Sequence, residues 1–393
     1  LSCLPWGMTV RMLTIATAVP DTQMHQPGAA QMFAEQPAMT RLGSRLVRSA
    51  FAGSGVATRR TVLPELGVAA SLDRDEANVD AASGPFVDPE SGHLLSPGTQ
   101  TRNQLYTEHA QRLFVRAART AIAQAAPTVA PEDITHVITV SCTGFFAPGP
   151  DVRVVKDLGL PADVSRMHLG FMGCNAAFPA LRAAYTACLA DPNAVVLVVC
   201  VELCTLHLHV RNDPDTIMGN ALFGDGAAAT VITAREATGS AVEPALELLD
   251  FETTLAPVGE EELAWSVGDQ GFELILGTYV PRIIDDHVTD ALNPLLNRAE
   301  LNPSDIPLWA VHPGGRGILD KVQSRLALTE EQMEPSRAVL ADAGNMSSVT
   351  ILFVLDRIRR SKTTGLLGAM AFGPGLSIES ALLRAVGAET TAQ

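Results

Sequence analysis

The sequence predicts a layered α/β protein built of two similar halves, and three observations carry that prediction. Amphipathic helical stretches alternate with short, almost wholly apolar runs such as 195–201, the pattern of strands covered on both faces. At 393 residues the chain is longer than one hydrophobic core usually serves, so two units are expected, 12–235 and 236–388. No short-period repeat or low-complexity tract points to a solenoid or scaffold instead.

Residues 12–19 read as a strand, and the polar, Gln-rich stretch after them as a helix running through Leu46. The Pro-, Gly- and Ser-rich segment 81–100 reads as a surface loop. A long amphipathic helix follows at 104–126, then a strand at 135–140 that ends in Ser141-Cys142-Thr143-Gly144. The runs 195–201 and 227–233 are buried strands, the second entered through Gly224-Asp225-Gly226, read as a turn. The less regular 234–271 reads as the seam between the halves. Beyond it, 279–297 is helical, 308–311 is a short strand, and Thr329 with Gln332 has the spacing of a capping box. Residues 346–360 read as a helix, and 366–372 and 376–383 as strands joined by the rigid turn Gly373-Pro374-Gly375.

With 47% hydrophobic and 18% charged residues, the composition is that of a globular protein. No apolar run approaches the ~18 residues needed to cross a bilayer. The formal charge of −15 speaks against a nucleic-acid partner, although a small anionic ligand needs only a local basic patch. The six cysteines, Cys3, Cys142, Cys174, Cys188, Cys200 and Cys204, lack the spacing of a secreted scaffold and fit reduced thiols in the cytoplasm. Leu1 precedes Met8 and Met12, so the first seven residues read as a translation artefact or an extended start, and 12–20 is too short for a secretory signal.

Gly170-Phe171-Met172-Gly173-Cys174 opens an apolar helical pattern in which Ala177, Leu181, Ala184 and Cys188 recur. The free N–H groups and positive dipole end of a helix N-terminus favour an anion, so a thiol here is expected to shift toward thiolate and to face a cavity. The competing reading is a buried, inert cysteine. His312 ends the apolar run Trp309-Ala310-Val311 just before Pro313-Gly314-Gly315. It can pair with a thiolate as imidazolium and donate to an oxyanion, or be a satisfied structural histidine. Asn345, in Gly344-Asn345-Met346-Ser347-Ser348, is a third polar group at a turn into a helix, or simply an N-cap. Cys, His and Asn at three glycine-flanked turns suit acyl-thioester chemistry: a sulfur to hold the acyl group and two donors to stabilise an enolate or oxyanion.

These residues resemble the type III polyketide synthases, the chalcone and stilbene synthase-like family of the thiolase fold, in its bacterial form. The resemblance runs from about Met12 to Val386. It is carried by 170–174, Ala221-Leu222-Phe223-Gly224-Asp225-Gly226, His312-Pro313-Gly314-Gly315 with Ile318-Leu319-Asp320, Gly344–Ser348, and Phe372-Gly373-Pro374-Gly375. It implies a homodimeric acyltransferase of layered α-β-α-β-α architecture that needs no metal or redox cofactor. Cys174 takes a starter acyl group from coenzyme A or an acyl carrier protein. His312 and Asn345 hold the thioester carbonyl of malonyl-CoA during decarboxylation, and the carbanion attacks the acyl-Cys174 carbonyl, iteratively. The resemblance further implies Phe223 and Phe272 as gating aromatics, and Cys142, Ser347, Gly314 and Gly315 as substrate-binding positions. An alkyl α-pyrone or alkylresorcinol is the expected product.

The chain also departs from the plant enzymes of the family. Of the basic residues that meet coenzyme A phosphates there, 51–60 keeps only Arg59 and Arg60, and 262–272, with Leu263 and Trp265, differs at positions bordering the cavity. Pro179, one turn past Cys174, is expected to bend the nucleophile helix. A single-round ketoacyl-carrier-protein synthase uses the same three residue types and is the near alternative; a cysteine thioesterase or hydrolase is the alternative from another class. Cys200, Cys204, His207 and His209 match no structural zinc spacing, and Cys200 and Cys204 would share one face of a strand away from the histidines. Glu202 reads as a buried polar residue with a structural partner, and Asp285-Asp286-His287 as a solvated helix face. Gly-Asp-Gly at 224–226 is no dinucleotide fingerprint.

Overall fold

The computed structural model describes residues 8–71, 84–236 and 244–387, so Cys3, the first seven residues and the start of the 81–100 loop lie outside it. The first stretch of chain forms β1 (Val10–Met12), β2 (Ala16–Ala18), β3 (Thr22–His25), α1 (Gln26–Ala34), α2 (Arg41–Gly53), β4 (Thr58–Thr61) and α3 (Pro64–Ala69). Then come α4 (Thr99–Ala125), β5 (His136–Ser141), α5 (Pro150–Leu158), β6 (Ser165–Gly170), α6 (Ala177–Ala190), β7 (Val195–Leu203), α7 (Pro214–Leu222) and β8 (Asp225–Thr233). The remainder is β9 (Ala245–Leu255), β10 (Leu263–Gly268), β11 (Gly271–Leu276), α8 (Val280–Ala299), β12 (Leu308–Val311), α9 (Arg316–Leu326), α10 (Glu330–Ala343), α11 (Thr350–Arg360), β13 (Gly365–Gly373) and β14 (Ser377–Val386).

Period-two burial explains the layering. Along β7, Val195, Leu197, Val199 and Val201 face a core built with α1, α2 and α4, while Val196, Val198 and Cys200 face a second core built with α6 and α11. Along β13, Leu367, Ala369 and Ala371 face that same second core, and Met370 and Phe372 face a third, built with α8 and α9. Helices α6 and α11 therefore lie between two β layers, with further helices outside: an α-β-α-β-α sandwich. Each fully buried Val or Leu contributes about 1.5–3 kcal/mol, so a charge at any inward position of β7 or β13 would be ruinous.

The two β layers are one continuous sheet, in the order β12-β13-β14-β9-β1-β8-β7-β5-β6, with β2 also on β8. The joint is β1, which pairs antiparallel with β8 through Arg11↔Thr233 and with β9 through Arg11↔Glu247. The region read as a seam is thus partly a central strand: β9 pairs with β14 along Ala245–Leu255, and 263–276 forms the β10–β11 hairpin. The single early helix is two, α1 and α2, because Pro37 disfavours helical backbone at Gln36. Asp225 and Gly226 belong to β8, paired with Leu203 and Glu202, and are no turn. Ser347–Val349 is a 3₁₀ turn ahead of α11. The capping box is present: Gln332 N donates to Thr329 Oγ1 at 3.2 Å and Thr329 N to Gln332 Oε1 at 2.8 Å.

Candidate active site

The segments that follow β6, β12 and α10 deliver the three candidate groups to one cavity. It is lined by Cys174, His312 and Asn345 together with Cys142, Ser347, Phe223 and Gly314. Leu263, Trp265, Leu274, Leu276, Ile318 and Phe372 make most of its remaining wall apolar.

Cys174 lies in the turn between β6 and α6, three residues ahead of the helix. Phe171 and Gly173 hold the turn with φ of 61° and 82°. A side chain on Gly173 would also meet Pro374 Cδ at 2.3 Å, so glycine is required where the Gly373-Pro374-Gly375 turn presses on the loop. Pro179 falls in the first turn of α6, where its missing N–H removes no helical bond; the expected bend is absent.

His312 follows β12, its N–H held by Met370 O at 2.8 Å, and both ring nitrogens are buried without a partner. Unsatisfied buried nitrogens are costly, and His312 is among the residues that line the cavity. Asn345 is bridged to Phe223: Asn345 N donates to Leu222 O at 2.9 Å and Gly224 N to Asn345 O at 3.0 Å. Its side chain is oriented by Ser347 N, which donates to Oδ1 at 2.8 Å and so leaves Nδ2 as the outward donor. Nδ2 reaches only Gly314 O, at 3.4 Å, a weak bond that a substrate carbonyl can replace. Asn345 is therefore not a helix N-cap; α11 begins later, at Thr350.

Electrostatics correct one expectation. Burial pushes the Cys174 thiol up to about 11, against the opposing side chains of Ser347 and Asn345, and pushes the His312 imidazole down to about 3. The entry to α6 alone does not ionise the sulfur. An ionised sulfur here would need a proton acceptor inside the cavity, and His312 lines the same cavity. His312→Gln is accordingly expected to move the iodoacetamide-labelling curve of Cys174 to higher pH, toward the value that burial alone dictates. Coincident curves for wild type and variant would remove His312 as the proton acceptor.

Glu202, fully buried at the end of β7, ties the cavity floor together. Its Oε2 accepts from Cys142 N at 3.0 Å and Thr143 Oγ1 at 2.8 Å, and its Oε1 from Ser348 Oγ at 2.5 Å and Cys142 Sγ at 3.3 Å. Ser347 Oγ lies 3.3 Å from Cys142 Sγ and also meets Cys174. Ser347 has a φ of 48°, left-handed backbone at a cavity residue. Burial raises the Cys142 thiol well above its ordinary range, and Glu202 raises it further. The network joining Glu202, Thr143 and Ser348 was not legible as such, since its members are spread over 141–348 with only ordinary Ser/Thr signals.

Other placements differ from expectation. Phe272 is buried behind the wall, stacked on His207 at 4.2 Å and edge-on to Trp265 at 5.9 Å; it does not line the cavity beside Phe223. Gly315 lines the adjoining vestibule, which shares Leu276, Gly314 and Ile318 with the cavity. Arg59 is no surface phosphate ligand: it is 1% exposed, donates to Phe223 O at 3.1 Å and lies beside Asp225, and burial lowers its guanidinium to about 10. Arg60 donates to Asp21 O at 2.8 Å. β7 stops at Leu203, so Cys204 turns into the cavity while Cys200 stays in the core; the shared face is lost. His207 is committed on both nitrogens, Nδ1 to Phe272 N at 2.9 Å and Nε2 to Thr143 O at 2.8 Å. Among the described residues no cluster of His, Cys, Asp and Glu is arranged to hold a metal. Among them, too, no helix is long and apolar enough to cross a membrane.

Comparison with known proteins agrees with this geometry. Residues 87–236 match the N-terminal domain of chalcone and stilbene synthases, and residues 247–387 match the C-terminal domain. The chain is 36% identical over 287 residues to "Alpha-pyrone synthesis polyketide synthase-like Pks18" of Mycobacterium tuberculosis, covering 72% of each protein. The crystal structure of PKS-I from the brown alga Ectocarpus siliculosus superposes with a TM-score of 0.84 at 27% identity, over 96% of this chain and 99% of that one. The C-terminal type III polyketide synthase domain of Steely1 from Dictyostelium gives 0.85 at 25% identity, over 96% and 99%. With thiolase-like layering, a cysteine-centred cavity and these relatives, the chain belongs to the chalcone and stilbene synthase family and is a type III polyketide synthase, an acyltransferase that extends its substrate by iterative condensation.

Proposed function

We propose that Cys174, His312 and Asn345 carry the reaction, on CoA thioesters, and that the product is an alkyl α-pyrone or alkylresorcinol. The observation that carries this reading is the common cavity of the three groups, with an outward amide donor on Asn345 and an unpartnered imidazole on His312. In loading, Cys174 Sγ passes its proton to His312 and attacks the starter thioester carbonyl; the coenzyme A thiolate leaves and takes that proton. In extension, His312 and Asn345 donate to the thioester oxygen of malonyl-CoA as its C–C bond to carboxylate breaks. Carbon dioxide departs and the enolate is stabilised. The enolate carbon then attacks the acyl-Cys174 carbonyl and the sulfur leaves. These steps call on no metal or redox cofactor.

The apolar wall of Leu263, Leu274, Leu276, Ile318 and Phe372 supports an aliphatic starter, and Pks18 is named for α-pyrone synthesis. On this reading 12–235 supplies the nucleophile and 236–388 the two donors. The enzyme works as a cytoplasmic homodimer. Supporting the dimer, β6 is a sheet edge exposed at every position but Leu169, and Phe145, Met167, Phe171 and Met172 are exposed on it and around it. Supporting the cytoplasm, the five described cysteines are free.

The test is incubation with malonyl-CoA and acyl-CoA starters of increasing chain length, reading product masses. Expected are products of the starter plus two or more ketide units, released as cyclic lactones or resorcinols. A single condensation per starter, or free starter acid without extension, would overturn the reading in favour of a ketoacyl synthase or a hydrolase.

A further inference from the structure

Helix α2 carries charge that the mechanism does not use. Its buried residues Gly43, Val47 and Phe51 recur every four positions, which turns the opposite face to solvent, and that face exposes Arg41, Arg45 and Arg48. The helix holds no acidic residue. Among the described residues none of these three arginines makes an ion pair, whereas exposed arginines elsewhere do, as in Arg112–Glu108 at 3.1 Å, Arg153–Asp157 at 2.9 Å and Arg298–Asp250 at 2.8 Å. In a chain of formal charge −15 this is a concentrated exception. The stripe spans about 10 Å at ~1.5 Å per residue.

Its position gives it meaning. The last residue of α2, Gly53, and the following Ser54 form part of the rim of the vestibule that leads past Gly314 and Ile318 to the Cys174 cavity. The rim itself offers little to phosphates: its cation is Arg316, 3.8 Å from Asp320, and Asp215 lines it as well. The uncompensated charge stands roughly 8–18 Å back along the helix from the rim. It is therefore placed to meet a body that stays outside the channel while its thioester arm enters. A polynucleotide long enough to use the stripe would extend over an otherwise acidic surface and be repelled.

We propose that the arginine face of α2 docks an acidic acyl carrier protein, which delivers the starter on its phosphopantetheine arm through the vestibule. This rests on the reading of Cys174 as the acyl acceptor. In the transfer, the acyl–sulfur bond to the arm breaks as Cys174 Sγ bonds to the acyl carbon. The arm's thiolate takes the proton that Cys174 gave up, and the carrier leaves in its free-thiol form.

The experiment uses the full-length chain, wild type and Arg41→Glu/Arg45→Glu/Arg48→Glu, with a fluorescently labelled bacterial acyl carrier protein charged with an octanoyl group. Matching circular-dichroism melting curves establish that the variant is folded, and a milder Arg→Gln triple variant replaces it if they differ. Binding is read by anisotropy, independently of chemistry, and acylation of Cys174 is read from octanoyl carrier, octanoyl-CoA and octanoyl-N-acetylcysteamine. Expected is a Kd for the carrier raised about tenfold or more, with salt sensitivity lost, and a parallel fall in acylation from the carrier. Acylation from the N-acetylcysteamine thioester stays within about twofold and from octanoyl-CoA within about threefold. An unchanged Kd, no binding by wild type, or an equal loss with octanoyl-CoA overturns the proposal, the last by assigning the stripe to coenzyme A phosphates. Failure of all three donors to acylate Cys174 while the carrier still binds at the stripe sinks the reading of the site and leaves the docking face standing.

Discussion

Replacing Cys174 by alanine is expected to lower product formation by on the order of 10⁴-fold or more while leaving malonyl-CoA decarboxylation measurable. The separation follows from geometry. On the proposed reading the enolate forms between His312 and Asn345, whose positions are set by β12 and by the Phe223–Asn345 bridge and not by the sulfur. Without Sγ there is no acyl electrophile for that enolate to meet, so acetyl-CoA accumulates in place of polyketide. Alanine removes no backbone bond, since Ala176 N donates to Gly173 O and Phe178 N to Asn175 O through the turn. Measured by carbon dioxide release alongside product mass, persistent condensation in the variant would show that another thiol does the work.

The second large effect is expected at Asn345. Asn345→Ala removes the outward Nδ2 donor and is expected to slow decarboxylation about 10²–10³-fold, ~2.7–4 kcal/mol of enolate stabilisation. Starter loading on Cys174 should fall far less, because His312 remains to accept its proton. The substitution also strips Oδ1 from Ser347 N and Thr350 Oγ1, at 2.8 and 3.4 Å, so the variant is to be compared with Asn345→Asp, which keeps an acceptor and lacks the donor. Equal decarboxylation in wild type and Asn345→Asp would reduce Asn345 to a residue that shapes the turn.

Much of the fold was legible because its central strands are extreme. β7 and β8 are buried at every position, and β12 is a four-residue apolar run just before His312. β6 escaped notice for the opposite reason: Ser165-Arg166-Met167-His168 is polar and exposed, and it is a strand only because it pairs in parallel with β5. β9 likewise reads ambiguously, its buried Ala245-Leu246-Glu247-Leu248 giving way to a half-buried polar and apolar mixture, and takes its identity from β1 and β14 on either side.

The site divides in the same way. Cys174, His312 and Asn345 stood out because each sits beside glycine at a chain reversal, a local signal. The ionisation of the sulfur did not, because burial is a property of the closed cavity and outweighs the helix entry that the local pattern advertises. Phe272 and Arg59 were misplaced for a related reason. Packing against His207 in one case, and the carbonyl of Phe223 with Asp225 in the other, draws inward two residues that local sequence leaves free to face substrate.

Three thiols, those of Cys142, Cys174 and Cys204, line the one cavity, so the account turns on which of them takes the acyl group. The direct measurement is peptide mapping by mass spectrometry of the wild-type enzyme quenched in acid after brief exposure to an acyl-CoA without malonyl-CoA. The acyl mass is predicted on the peptide containing Cys174, at one group per chain; its appearance on Cys142 or Cys204 with Cys174 unmodified would contradict the account.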